Sequence, residues 1–149
     1  SFEPLMNEYE SASKSFSERV KAAQDKTVLI AYLQEYKNTS AIILEKARRL
    51  EPSTLSLHSH KRFIDNLSTM QAALTETIAG LENEDTGRIE AASKKMAEVD
   101  ENSGELRQII NEERAADIQK FNARIQRMSE LMGQIGEDQG ELHQRFDRK

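Results

Sequence analysis

The 149 residues include no cysteine and no tryptophan, only two prolines and six glycines, and nowhere the run of about eighteen apolar residues that a bilayer-spanning helix needs. Each shortage removes a class of protein. Without cysteine there can be no disulfide, no thiolate metal site and no thiol nucleophile, although the compartment stays open. So little glycine and proline leaves too few turn residues for a compact α/β enzyme. The opening Ser1-Phe2-Glu3-Pro4 does not resemble a signal peptide. A membrane is therefore expected to be reached only through a segment outside these residues.

Positive charge is also short where a polyanion would need it. Residues 1–75 carry ten Lys and Arg against nine Asp and Glu, and residues 76–149 carry eleven against seventeen, for a net charge of −5. Neither half offers the cationic excess that neutralises phosphates, so nucleic acid is not an expected partner.

What remains is 37% apolar and 32% charged, the mixture of amphipathic helices. Apolar residues recur every three or four positions from one end to the other, the spacing that keeps side chains on one helical face. The first stripe is Phe2, Leu5, Tyr9, Ala12, Phe16, Val20 and Ala23, continued by Leu29, Leu33, Tyr36, Ile43, Ala47 and Leu50. Pro4 is tolerated in a first turn, where no intrahelical bond is lost. At Gln24-Asp25-Lys26-Thr27 two readings are open: Asp25 caps a new helix, or one helix passes through with a change of phase. Glu51-Pro52-Ser53-Thr54 is a boundary, because proline disfavours helix in the residue before it and Ser53 or Thr54 can cap the next helix.

The next stripe, Leu57, His60, Ile64, Leu67, Leu74, Ile78 and Leu81, is widened by Phe63 and Met70 to the breadth of a core-facing helix. Asn83-Glu84-Asp85-Thr86-Gly87 then supplies capping side chains and a glycine for a turn. The last stripe is the longest: Ile89, Ala92, Met96, Val99, Leu106 and Ile110, then Ile118, Phe121, Ile125, Met128, Met132, Ile135, Leu142 and Phe146. Unbroken, it would be a helix of roughly 90 Å. Two weak points interrupt it, Gly104 and a one-residue slip over 110–118, and a slip of that kind is absorbed without a break.

The expected fold is thus all-α: an elongated antiparallel three- to four-helix bundle in one domain over 1–149. Its helices cover about 3–50 (with or without a break near 25), 53–82 and a very long C-terminal 87–147.

Chemistry is hardly encoded. The residues three before His58, His60 and His143 are Leu55, Leu57 and Gly140, so the Glu-x-x-His repeat of a di-metal bundle is missing. His58 and His60 are two apart and point to different faces of a helix. His60 is expected along the core stripe with one ring nitrogen bonded, and His58 at the surface. The acidic clusters at residues 82–85, 112–117 and 137–141 lack the alternation and length of a calcium loop. No nucleophile motif or phosphate-cradling glycine loop occurs. Neither catalysis nor a cofactor or metal is expected. Met6, Met70, Met96, Met128 and Met132 read as gap-filling residues on or beside the stripes. Tyr9, Tyr32 and Tyr36 read as core, with a ligand cleft between helices as the alternative.

Leu50-Glu51-Pro52, a histidine at 58 or 60, Leu67, Leu74 and Leu81, the acidic turn Asn83-Glu84-Asp85 and the helix opening at Ile89 to Ala92 form a recurring architectural pattern. Over residues 36–110 the chain resembles uncharacterised bacterial lipoproteins and membrane-anchored helical proteins displayed outside the cytoplasmic membrane. The resemblance implies a helical bundle in the bacterial cell envelope and carries no activity. The expected function is a non-enzymatic interaction or scaffold module that binds a protein, an envelope component or another copy of itself. The candidate surface is Phe121, Ile125, Met128, Met132, Ile135 and Leu142, whose stripe exceeds what the earlier helices can cover. The alternative is an extracytoplasmic sensory or small-ligand-binding four-helix domain.

Overall fold

The computed structural model describes residues 1–147, apart from the side chains of Leu55 and of residues 146 and 147. The protein is 92% helical, with no strand among the described residues. Helix α1 spans Glu3–Ala22, α2 Lys26–Arg49, α3 Leu57–Glu82 and α4 Thr86–Asp147, and a single 3-10 turn, Thr54–Ser56, precedes α3. The all-α bundle with a long last helix, expected from the periodicity, is the observed fold. The chain separates into a compact unit Ser1–Ile109 and a second unit that begins at Ile110.

The ends of the helices follow from local chemistry. Pro4 sits in the first turn of α1, where the backbone amides of Leu5 and Met6 donate to the Phe2 carbonyl. Between α1 and α2 the chain does break. Ala23 is extended, and the Asp25 carboxylate accepts from the Val28 amide at 2.8 Å, the N-cap bond that starts a new helix. Helix α2 ends three residues before Pro52 with Lys46, Arg48 and Arg49 in its last turn, where cations favour the helix dipole.

The α3–α4 turn is made differently from the sequence expectation. Gly87 does not supply the unusual backbone, because it lies in the first turn of α4, one residue before Arg88, whose amide is capped by Asp85. Glu84 instead adopts the left-handed conformation at φ 54°, and the Asp85 amide folds back onto the Gly80 carbonyl at 2.9 Å. This C-terminal lock normally uses glycine, since a side chain in that region costs energy.

In the first unit, every helix runs antiparallel to its sequence neighbour. Tyr9 and Tyr36 join α1 to α2; His60 reaches the Ala47 carbonyl and Gln71 the Lys37 carbonyl to join α3 to α2. Glu76–Arg88 and Arg62–Glu105 tie α3 to the part of α4 within the unit. Arg107 closes the ring by reaching Glu3, Asn7 and Glu10 on α1. The centre is filled by Met6, Leu67, Met70, Leu74, Val99 and Leu106, all essentially inaccessible. α1 therefore takes the fourth place in the bundle against α4, and residues 86–109 are enough to complete it.

Three stripe residues, Leu5, Leu50 and Leu57, depart from expectation, Leu50 being 37% exposed where α2 ends. Leu57 is 58% exposed because it opens α3 before that helix meets its neighbours, and Met6 shares the inner face of α1 with Phe2 and Tyr9 while Leu5 is only half-buried. Gly80 has a role that periodicity could not show. A Cβ built there would lie 2.8 Å from Ile89 Cγ1, 3.2 Å from the Ile89 amide nitrogen and 3.3 Å from the Asp85 carbonyl oxygen. Alanine in a helix gains about 1 kcal/mol over glycine, and overpacking costs about 1–3 kcal/mol. Because two of the three contacts are backbone, the steric cost should win. Gly80→Ala is expected to lower the urea midpoint of the bundle, whereas a rise would show that the α3–α4 turn relaxes freely.

Candidate functional site

The six residues singled out from sequence lie on one face of α4 in the second unit. Their exposure runs from 47% at Ile125 through 56% at Leu142, 61% at Met128 and 62% at Phe121 to 69% at Met132. Ile135 falls within that range, as do Ile118 and Leu131, which extend the patch. The Phe146 side chain, which ends the stripe in the sequence, lies outside the described residues.

From residue 111 to residue 145 every residue is exposed except Glu113, which is half-buried. The alternation of three and four in this stretch is otherwise found in helices whose apolar side is covered. Eight large apolar side chains on one face exceed the scattered singles of an ordinary surface. Leu131 was missed because it falls outside the regular three-four spacing; the doublet Leu131-Met132 was the signal for it. The two methionines give the face an adaptable, polarizable centre.

The first unit offers a second feature, an open cleft between α1 and α4. It is about 640 Å³ in volume, and Tyr9, Ser13, Asp100, Ser103, Gly104 and Arg107 are among its lining residues. Behind it the Tyr36 hydroxyl donates to the Tyr9 hydroxyl at 3.1 Å, and Phe16 stacks on Tyr36 with ring centroids 4.5 Å apart. Burial, with the neighbouring Tyr36 and Asp100, drives the Tyr9 phenol far above its usual range. Burial likewise raises Tyr36, opposed by the neighbouring hydroxyls of Tyr9, Ser13 and Ser40. Both phenols therefore stay protonated and act as packing groups with a shared hydrogen bond, the core role expected for them. Tyr32 lies apart, half-buried under the Arg19 guanidinium at 5.7 Å. The Ser40 hydroxyl sits beside Tyr36, fully buried and without a hydrogen bond of ordinary geometry.

The histidines separate as expected. His60 is buried, its Nε2 2.7 Å from the Ala47 carbonyl and its ring edge-on to Phe2, whereas His58 is exposed. Among the described residues no three His, Asp or Glu side chains are grouped so as to hold a metal ion, and no helix is long and apolar enough to cross a membrane. Compared with known protein families, characterised proteins and solved structures, the chain matches none.

Two expected outcomes concern the cleft and its surroundings. Partial burial raises the Asp100 pKa above the usual carboxylate value. A raised native pKa means that the protonated form is favoured by folding, so this stabilisation is complete below the unfolded pKa of about 4 and is lost as pH rises through the native one. Asp100→Asn should raise the melting temperature at pH 7.5, with the difference from the parent shrinking toward zero near pH 3.5. A difference that stays constant with pH would remove the Asp100 carboxyl as its source. Ser40→Ala, which deletes a buried hydroxyl lacking a well-made partner, should stabilise the bundle by up to about 1 kcal/mol in urea unfolding; a loss of that size would show that the hydroxyl is satisfied in solution.

Proposed function

We propose that this protein is a non-enzymatic helical interaction or scaffold module, in which the four-helix unit is a folded base and the exposed face of α4 from Ile118 to Leu142 binds a protein partner. The observation that carries this reading is the combination of regular amphipathic spacing with exposure of every apolar residue on that face. Such a surface is costly to leave in water and is retained where something covers it. Placement in the bacterial cell envelope, on the outer side of the cytoplasmic membrane, draws its support from the pattern over residues 36–110 alone.

A photo-crosslinking amino acid placed in living cells at Phe121, Met128 or Ile135 should form protein adducts, while the same group at Ala123, Glu130 or Glu137 on the opposite side of the helix should form few. Equal labelling of both sides, or none on either, would overturn the reading.

A small-ligand-binding four-helix domain is the second reading, favoured by the cleft that Tyr9, Ser13, Asp100 and Arg107 line. It requires a compound that raises the melting temperature of the parent and loses that effect in Asp100→Asn.

A further inference from the structure

Residues 118–142 keep one heptad register, apolar at every core position but Gln139. Ile118, Ile125, Met132 and Gln139 take the a positions, and Phe121, Met128, Ile135 and Leu142 the d positions. The residues beside this seam fall into two unlike rows. The e row, Ala115, Asn122, Ser129, Gly136 and His143, is short or neutral; the g row is Asp117, Arg124, Leu131, Asp138 and Arg145. Gly136 in the e row has no atom within 4 Å of the place a Cβ would occupy, so nothing fills that flank.

The g row is antisymmetric in charge about Leu131. In an antiparallel pair of coiled helices, g faces g and e faces e; in a parallel pair, g faces e of the following heptad. When two copies are laid antiparallel with Leu131 facing Leu131, Asp117 of each chain meets Arg145 of the other and Arg124 meets Asp138. Four ion pairs form and no like charges meet. The same alignment stacks Ile118 on Leu142, Ile125 on Ile135, and Met128 on Met132 across the pair, and Phe121 on Gln139, each layer occurring twice.

Neighbouring registers are disfavoured. Sliding one heptad one way sets Asp117 against Asp138, and sliding the other way sets Arg124 against Arg145. A parallel pair would face Asp117, Arg124 and Leu131 with Asn122, Ser129 and Gly136, leaving Asp138 opposite His143 as its one acid–base contact in place of four ion pairs. Complementary charge that is present in one register and repulsive in its neighbours is how helical pairs specify orientation.

We infer that the exposed face of α4 docks onto the same face of a second copy of this chain, antiparallel and centred near Glu130. The inference rests on the reading of this face as a binding surface and names its occupant.

The charge row supplies the test. The purified full chain should sediment as a dimer at about 100 µM, and Arg124→Asp should weaken the dimer by about tenfold or more, since it sets the introduced carboxylate against Asp138 twice. The double variant Arg124→Asp/Asp138→Arg should restore it. A parallel dimer would be indifferent to the single change, and that result would overturn the arrangement. Because the chain has no cysteine, the single variants Ala116→Cys, Ala123→Cys, Glu130→Cys, Glu137→Cys and Gln144→Cys can each carry one spin label. Inter-chain distances should be shortest at residue 130 and lengthen toward both ends, with axial separations of about 21 Å at 123 and 137 and about 42 Å at 116 and 144. A distance constant along the helix would overturn the orientation even if a dimer forms. A chain that stays monomeric at that concentration refutes self-pairing. If crosslinks in cells then still join Phe121 or Met128 to a different protein, the interaction reading stands without this occupant; if they are absent as well, both fall.

Discussion

Burial of Leu67, Leu74, Val99 and Leu106 where four amphipathic helices meet is the interaction on which the first unit depends. No single helix of this composition is stable alone in water, because propensity and surface ion pairs contribute too little to offset the cost of ordering its backbone. Each helix becomes stable when neighbours cover its stripe. The ion pairs at the rim are partly solvated, with the Arg88 and Glu76 side chains 39% and 49% exposed and those of Arg107 and Glu3 25% and 27%, and they add little by comparison with the core. Their value lies in fixing which helices stand side by side, a job for which geometry matters more than strength. The apolar stripe of residues 118–142, by contrast, is exposed along its length.

Much of this was legible in the sequence and some was not, for reasons that can be stated residue by residue. Pro52 fixed the α2–α3 boundary because proline acts through its immediate neighbours. Asp25 left two outcomes open, since an aspartate can cap a helix or ride on its surface, and only the bond to the Val28 amide in the fold distinguishes them. His60 was placed correctly by its position on a stripe. Gly80 was invisible, because its importance comes from Ile89 and Asp85 folding back over it, a through-space relation that periodicity does not record. Glu84 was hidden behind the nearby Gly87, the residue that turn preferences would choose.

The polar cleft illustrates a different limit. Nothing around Asp100 or Ser13 marks them in the sequence, since isolated acids and serines are the ordinary furniture of a solvated helix face. They meet only because α1 and α4 are adjacent. The exposed face of α4 was readable for the opposite reason: it is a local pattern whose members all belong to one helix. Local periodicity announces an apolar surface directly, because every residue that forms it belongs to one stretch of chain.

Gly133, Gly136 and Gly140 stand in open space along that same stretch. Each makes helix formation dearer by about 1 kcal/mol relative to alanine, within a segment whose residues are exposed. Its amide hydrogens should therefore exchange with solvent far sooner than those of the bundle, and engagement would slow them. Were this face engaged as proposed, binding would include the ordering of the binding element, and occupancy would govern how long this stretch survives a protease.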